Sequence, residues 1–328
     1  MSKIFRGLRR FLQVRLHHKL VYPALSFKKI PPVRGTTCSI GFSLLTLIGL
    51  EKKLNAEDEL ILMIKHCILF MQRYEYGKAE QLLHVALRQA QQMKHETGVT
   101  YIYDVMANLA LQTERLDQAK KLFVEVAQRL IANGVNQEDI RIVQISVKLA
   151  RVSHLQKDYT TAQLGYDWCL ERIRQEYTKS PSDDNKKLLA MTEDWYGRLL
   201  VDCSKYDHGY KYMVNAYNKM KELKDVDAEH LVVQLNDIGT VCDQMGQVDE
   251  CINYVSQAID LGKTVPDMED FGAIYVNLGK AYIKKQMLDT ARRYCGQGLK
   301  MGILSKNNDI KEEAEKCISE IKNFLPNT

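Results

Sequence analysis

Residues 103–126, YDVMANLALQTERLDQAKKLFVEV, decide the fold. Apolar and small residues recur at helical spacing on both sides of the polar turn QTERLD, which predicts two helices joined by a short connection. Five further blocks align with this one: residues 63–87, 148–170, 195–220, 235–259 and 275–299, of which 195–220 is the weakest match. Self-similarity at such a period is typical of helical repeat proteins. The sequence therefore predicts an all-α fold built from helix pairs.

Each block carries small residues at two matching places. In the first helices they are Cys67, Ala107, Ala150, Gly197, Gly239 and Gly279. In the second helices they are Ala79, Ala119, Ala162, Gly209, Cys251 and Ala291, followed four residues later by Leu83, Phe123, Tyr166, Met213, Val255 and Cys295. Residues four apart share one face of a helix, so the small one admits a neighbouring helix and the larger one fills the adjacent groove.

Small residues and aromatics at these offsets resemble the tetratricopeptide repeat. That resemblance implies a right-handed superhelical solenoid of about six helix pairs over residues 58–306, closed by a capping helix at 308–325. Successive first-helix small residues are 40, 43, 47, 42 and 40 positions apart. The standard repeat has about 34 residues. We therefore expect longer helices or loops near residues 133–139, 178–187, 223–229 and 262–271.

The first 50 residues hold nine Lys and Arg and no acidic residue. The remaining chain has 37 basic residues (46 less these nine) against 41 acidic ones, so the repeats are slightly acidic and nucleic acid is not an expected partner. Ile4, Leu8, Leu12 and Leu16 alternate with arginines at helical spacing. A basic amphipathic helix without acids is typical of a mitochondrial transit peptide, so residues 1–35 are predicted to be a targeting leader.

Residues 36–50, TTCSIGFSLLTLIGL, form an uncharged apolar run between Arg34 and Glu51. Its fifteen residues fall short of the roughly 20 that span a bilayer, and it contains Ser, Thr and Gly. Three interpretations stay open at this point: a short membrane segment, an extension of the leader, and a helix docked on the solenoid.

The repeats contain no motif that indicates catalysis. There is no phosphate-binding loop or nucleophile elbow, and the histidines of the repeats are scattered. Gly296, Gly298 and Gly302 are interpreted as close-packing residues of a helix. The eight cysteines show no metal spacing and are expected to be small buried hydrophobes, with Cys242 and Cys251 the one pair that could form a disulfide. The sequence predicts no enzyme, metal, cofactor or small-molecule substrate.

A partner protein is expected along the first helices, which line the concave groove of a tetratricopeptide solenoid. The row one residue after each small position contains Asn108, Arg151, Arg198 and Lys280, and the row four residues earlier adds Asp104 and Asn236. These six residues predict a polar, cationic groove suited to a segment that bears carboxylates. The alternative is that they only solvate a surface.

Four stretches resemble the mitochondrial tetratricopeptide repeat protein 19 family: residues 103–110, 137–139, 145–150 and 165–169. The resemblance implies a mitochondrial inner-membrane protein that associates with respiratory complex III and its Rieske iron–sulfur subunit. It further implies support of the integrity of that complex, by helping to clear fragments left from Rieske processing. The alternative function is a general mitochondrial import or chaperone adaptor that binds client peptides.

Overall fold

The structure is a computed structural model that describes residues 55–224, 226–266, 268 and 270–324. This part of the chain forms thirteen α-helices and no strand. Their bounds are α1 Ala56–Gln72, α2 Tyr76–Gln92, α3 Glu96–Gln112, α4 Leu116–Ala132, α5 Ile140–Leu155, α6 Tyr159–Lys179, α7 Asp183–Asp202, α8 Tyr206–Lys221, α9 Ala228–Gln244, α10 Val248–Gly262, α11 Phe271–Lys284, α12 Leu288–Leu304 and α13 Asn308–Phe324. The predicted leader and the apolar run at residues 36–50 lie outside the described residues.

The helices follow the predicted helix–turn–helix order and pack in sequence, α1 on α2, α3 on α4, α7 on α8, α9 on α10 and α11 on α12. Every predicted small residue of both helices is buried, and so are the six larger residues that follow four positions later. The all-α tetratricopeptide prediction is confirmed, while the number of pairs stays a prediction. The longest interval between first-helix small residues, 47 residues from Ala150 to Gly197, is filled mainly by helix, because α6 and α7 have 21 and 20 residues.

Glycines at the crossing of α7 and α8 show why these positions must be small. A Cβ atom on Gly197 would lie 2.9 Å from the carbonyl oxygen of Gly209, and one on Gly209 would lie 2.8 Å from the carbonyl oxygen of Gly197. Real Cβ atoms do not approach a backbone oxygen this closely. The two helices therefore touch backbone to backbone, and a methyl group on either would separate them.

The turn inside each pair has one residue with positive φ, always seven residues after the small residue of the first helix. These residues are Tyr74, Glu114, Lys157, Ser204, Gly246 and Gln286, with φ between 56° and 75°. This left-handed conformation ends a helix and favours glycine, because a Cβ atom is strained there. Five of the six turns nevertheless use another residue.

Replacing Gln286 by glycine is expected to stabilise the chain by about 1 kcal/mol, because the strain of a left-handed residue with a Cβ atom is removed. Gln286 is exposed, so little packing is lost. The matched reverse change is Gly246→Ala, at a position where an added Cβ atom meets no atom within 4 Å. It is expected to destabilise by a similar amount. Urea unfolding followed by circular dichroism measures both, and shifts of the same sign would contradict the explanation.

The chain divides into two compact units, residues 1–152 and 153–328, with the division inside α5. In the first unit the core centres on Leu83, Ile102 and Leu109. In the second, one cluster joins helices α8 to α11 around Leu235, Val255 and Leu278. A further cluster of the second unit binds the last helix to α11 and α12.

Helix α13 packs through Ile310, Ala314, Cys317 and Ile321, which lie at helical spacing and are all at most 2% exposed. Phe324, the last residue of the helix, is exposed. The other face of α13 is charged and open to solvent, with exposed side chains at Lys311, Glu312, Glu315, Lys316 and Glu320. One apolar and one charged face are the features of a helix that covers the end of a repeat stack.

Candidate functional site: the first-helix row

The six predicted groove residues all lie on first helices, and they differ widely in exposure. Asp104 and Asn108 lie on α3, Arg151 on α5, Arg198 on α7, Asn236 on α9 and Lys280 on α11. Asn108, Arg151 and Asn236 are buried. The side chain of Lys280 is the most exposed of the six, at 25%. Most of the row is therefore occupied by contacts within the chain.

In the first unit, Asp104 forms an ion pair with Lys148 of α5, with 3.0 Å between Oδ1 and Nζ. Both side chains are largely buried, and the Lys148 ammonium also lies 5.3 Å from the centre of the Phe123 ring. Asn108 donates from Nδ2 to the backbone oxygen of Asp104 at 2.6 Å. This buried lysine has a carboxylate and an aromatic face as partners, the two environments that favour a desolvated cation.

In the second unit, Arg198 lies between two carboxylates. Its Nε donates to Asp194 on the same helix at 2.8 Å, and its Nη1 donates to Asp237 on α9 at 2.6 Å. Burial alone would lower the pKa of the Arg198 guanidinium, but the two carboxylates outweigh burial and raise that pKa. Burial raises the pKa of the Asp237 carboxyl, and Arg198 opposes that rise. The three groups depend on one another for their charged forms.

Two further contacts continue along α9, α11 and α13. Asn277 donates from Nδ2 to Oδ1 of Asn236 at 2.9 Å, and Lys280 forms an ion pair of 2.7 Å with Glu313 of the last helix. Burial acts to raise the pKa of Glu313, but hydrogen bonds from Lys280 and Lys316 prevail and lower it. An amide pair therefore connects α9 to α11, and an ion pair connects α11 to α13.

These contacts share one register. One partner of each contact lies three positions before, or one position after, the small residue of a first helix. The other partner lies two positions before the small residue of the next first helix. Lys280 is the exception, because its partner lies on α13. We call the set the polar ladder. In the first unit it consists of Asp104 and Lys148, and in the second unit of Asp194, Arg198, Asn236, Asp237, Asn277, Lys280 and Glu313.

Sequence reasoning missed five members of the ladder: Lys148, Asp194, Asp237, Asn277 and Glu313. Asp194 could have been predicted from sequence, because it lies four residues before Arg198, as Asp104 lies four residues before Asn108. The cations Arg198 and Lys280 each have carboxylate partners. Reversing the charge of Arg198 would therefore test folding as well as binding.

The cysteine prediction is partly wrong. Cys295 of α12 and Cys317 of α13 form a disulfide, with their Cα atoms 6.1 Å apart. Cys242 and Cys251 remain free. Burial raises the pKa of the thiols of Cys67, Cys169, Cys242 and Cys251 to about 12, so these behave as the small buried hydrophobes that the sequence predicts.

Three glycines of α12 were interpreted as close-packing residues, and two of them, Gly298 and Gly302, do pack closely against a neighbouring helix. A Cβ atom on Gly298 would lie 3.0 Å from the carbonyl oxygen of Gly272, and one on Gly302 would lie 2.8 Å from the backbone nitrogen of Lys311. Gly296 contradicts the interpretation, because a Cβ atom there would meet nothing within 4 Å.

Among the residues that the structure describes, no group of three or more His, Cys, Asp or Glu side chains is arranged to hold a metal ion. None of the thirteen helices combines the length and hydropathy that crossing a bilayer requires.

Comparisons with known proteins agree with this architecture. A family model described as tetratricopeptide repeat matches residues 272–301. Tetratricopeptide repeat protein 19 homolog, mitochondrial, of Drosophila melanogaster is 34% identical over 84% of this chain and 75% of its own length. The human protein named tetratricopeptide repeat protein 19, mitochondrial, is 27% identical over 81% of this chain and 73% of its own length.

Among solved structures, a signal-transduction ATPase of Pyrococcus horikoshii with a tetratricopeptide repeat sensor matches with a TM-score of 0.64. It is 14% identical, and the match covers 86% of this chain and 42% of the other. At that identity the likeness shows the fold alone. The 34% identity to the fly protein, over three quarters of that protein, shows the family as well as the fold. This chain belongs to the mitochondrial tetratricopeptide repeat protein 19 family.

Proposed function

We propose that this chain is a non-catalytic protein-binding scaffold of the mitochondrial inner membrane that supports the assembly and integrity of respiratory complex III. The observation that carries the proposal is the 34% identity to the fly relative, whose name places it in mitochondria, across 84% of the chain. Helical repeats of this kind present extended surfaces to other proteins. The proposed partners are complex III subunits including the Rieske protein, and the proposed task is to help clear fragments of Rieske processing.

We propose the first-helix row as the surface that contacts the partner. Lys280 is the best placed of the six predicted residues, because its side chain is one quarter exposed. A partner carboxylate would compete there with Glu313, whose Oε2 lies 2.7 Å from the Lys280 ammonium. A partner segment that carries several carboxylates would compete with Glu313 more effectively than a single carboxylate, because it would form several charge-assisted hydrogen bonds.

Native-gel complexome profiling of mitochondria that carry a tagged copy tests the proposal. We expect the tag to co-migrate with complex III, and Rieske fragments to accumulate when the gene is deleted. The double variant Lys280→Glu, Glu313→Lys retains opposite charges at the two positions and replaces the cation at position 280 by an anion. It is expected to fold and to lose co-migration.

Two results would count against these proposals, the first against the proposed partner and the second against the proposed contact surface. If the tag spreads among chaperones while complex III is unchanged, the general import or chaperone adaptor becomes the better function. If the double variant folds and still co-migrates with complex III, Lys280 is not a contact, although the scaffold function would stand.

A further inference from the structure

Three positions of a first helix form the edge that receives the preceding first helix. They lie five before, two before and two after the small residue, and at spacings of three and four residues they share one stripe of the helix. Each ladder contact between two first helices ends on the middle position, at Lys148, Asp237 or Asn277. We call this stripe the receiving edge. On α3 and α5 its residues are all at most 5% exposed: Ile102, Val105, Leu109, Ile145, Lys148 and Val152.

The receiving edge of α1 is open to solvent. It consists of Leu62, Lys65 and Leu69, and the two leucines are 39% and 38% exposed while Lys65 is half-buried. Asp58 and His66 lie beside it and are exposed as well. Among the residues that the structure describes, no helix precedes α1 and no carboxylate pairs with Lys65. The edge is therefore a mixed surface, with a cation between two leucines.

The edge of α1 has the same residue types as the edge of α5. On both helices a lysine lies between two aliphatic residues, at the same three positions. On α5 the occupant is part of the chain, because Asp104 of α3 forms an ion pair of 3.0 Å with Lys148. Ile145 and Val152, one turn to either side of Lys148, are buried beside that ion pair. At this register the pattern therefore receives a helix that presents a carboxylate to the lysine.

We propose that the receiving edge of α1 binds a helix of a partner protein, and that this helix carries an Asp or Glu that forms an ion pair with Lys65. Aliphatic residues of the partner, one turn to either side of that carboxylate, would cover Leu62 and Leu69. The partner helix would lie on α1 as α3 lies on α5. The proposal rests on the proposed scaffold function, but it does not depend on which protein is the partner.

A peptide with the sequence of α3, residues 96–112, is a probe of known chemistry for this edge, because it carries Asp104. An isolated helix of this length is only marginally stable, so a side-chain lactam on the face opposite Asp104 holds the peptide helical. Fluorescence anisotropy of the labelled peptide with the full chain measures the dissociation constant. We expect the peptide to bind, and Lys65→Glu to weaken binding at least about tenfold because two carboxylates then face each other.

A charge exchange separates this explanation from a loss of fold. The peptide variant Asp104→Lys should bind the Lys65→Glu chain more tightly than it binds the native chain. The matched control is Lys121→Glu, at an exposed lysine of α4 in the same unit, which makes the same change in net charge and should leave the affinity unchanged. In methyl NMR spectra of the native chain, the peptide should shift the signals of Leu62 and Leu69.

Three results would overturn the proposal. The native peptide does not bind, or it binds the native and Lys65→Glu chains with equal affinity, in which case the edge selects no carboxylate. Alternatively, sedimentation shows a dimer that Leu62→Glu with Leu69→Glu converts to monomer, and a second copy of this chain occupies the edge. None of these measurements involves complex III, so a failure here is distinct from a failure of the proposed function.

Discussion

Arg198→Met is expected to lower the free energy of unfolding by about 3–5 kcal/mol, the usual effect of removing one partner of a buried ion pair. Asp194 and Asp237 are 2% and 5% exposed, so without the guanidinium two buried carboxylates would lose the cation that they share. The methionine fills similar volume, so the loss reports charge and not a cavity. Urea unfolding followed by circular dichroism measures it.

Two further variants separate this explanation from a general sensitivity to substitution. Asp194→Asn with Asp237→Asn, added to Arg198→Met, should restore most of the lost stability because no buried charge is left. Lys263→Met removes a cation whose partner Asp260 is exposed, and it should leave the unfolding midpoint unchanged. An Arg198→Met variant that unfolds at the same urea concentration as the native chain would show that the triad does not stabilise the fold.

Gly209→Ala is expected to destabilise the chain by about 2–3 kcal/mol, at the upper end of what overpacking normally costs. The added methyl group would meet Cγ2 of Val201 at 2.6 Å and the carbonyl oxygen of Gly197 at 2.8 Å. Valine can change rotamer, but the carbonyl belongs to the backbone of α7, so the two helices must move apart. The midpoint of thermal unfolding should fall accordingly.

The same substitution elsewhere in the second unit should have the opposite effect. Gly296→Ala adds a methyl group that meets nothing within 4 Å in the middle of α12, and alanine is favoured over glycine in a helix by about 0.5–1 kcal/mol. If Gly209→Ala proves as stable as Gly296→Ala, the close approach of α7 and α8 is not a constraint on the fold.

The helix pairs could be predicted from sequence because burial imposes a period that the small residues repeat. Gly296 and Gly298 mark the limit of that reasoning. Both lie in one helix with a similar local pattern, and only the structure shows that Gly298 faces the backbone of α11 while Gly296 faces open space. The left-handed turn residues also could not be predicted from sequence, because their conformation is set by the ends of the two helices that they join and not by the residue type.

The candidate site was harder to predict. Arg198 and Lys280 were correctly placed on first helices, but a charged residue in a repeat has the same sequence signature whether it faces solvent or a carboxylate on another helix. Their partners Asp237 and Glu313 lie 39 and 33 residues away, beyond any local pattern. Only an alignment of the repeats to one another reveals the register that brings them together.

The polar ladder makes neighbouring helices depend on each other energetically. A repeat array held only by apolar contacts can open one helix at a time from its end, each at a modest free-energy cost. Opening α9 would also strand Arg198 with a single carboxylate and leave Asn277 without its acceptor, so part of the penalty falls on helices that have not opened. The ladder therefore raises the cooperativity of unfolding, and the second unit should lose its helices together.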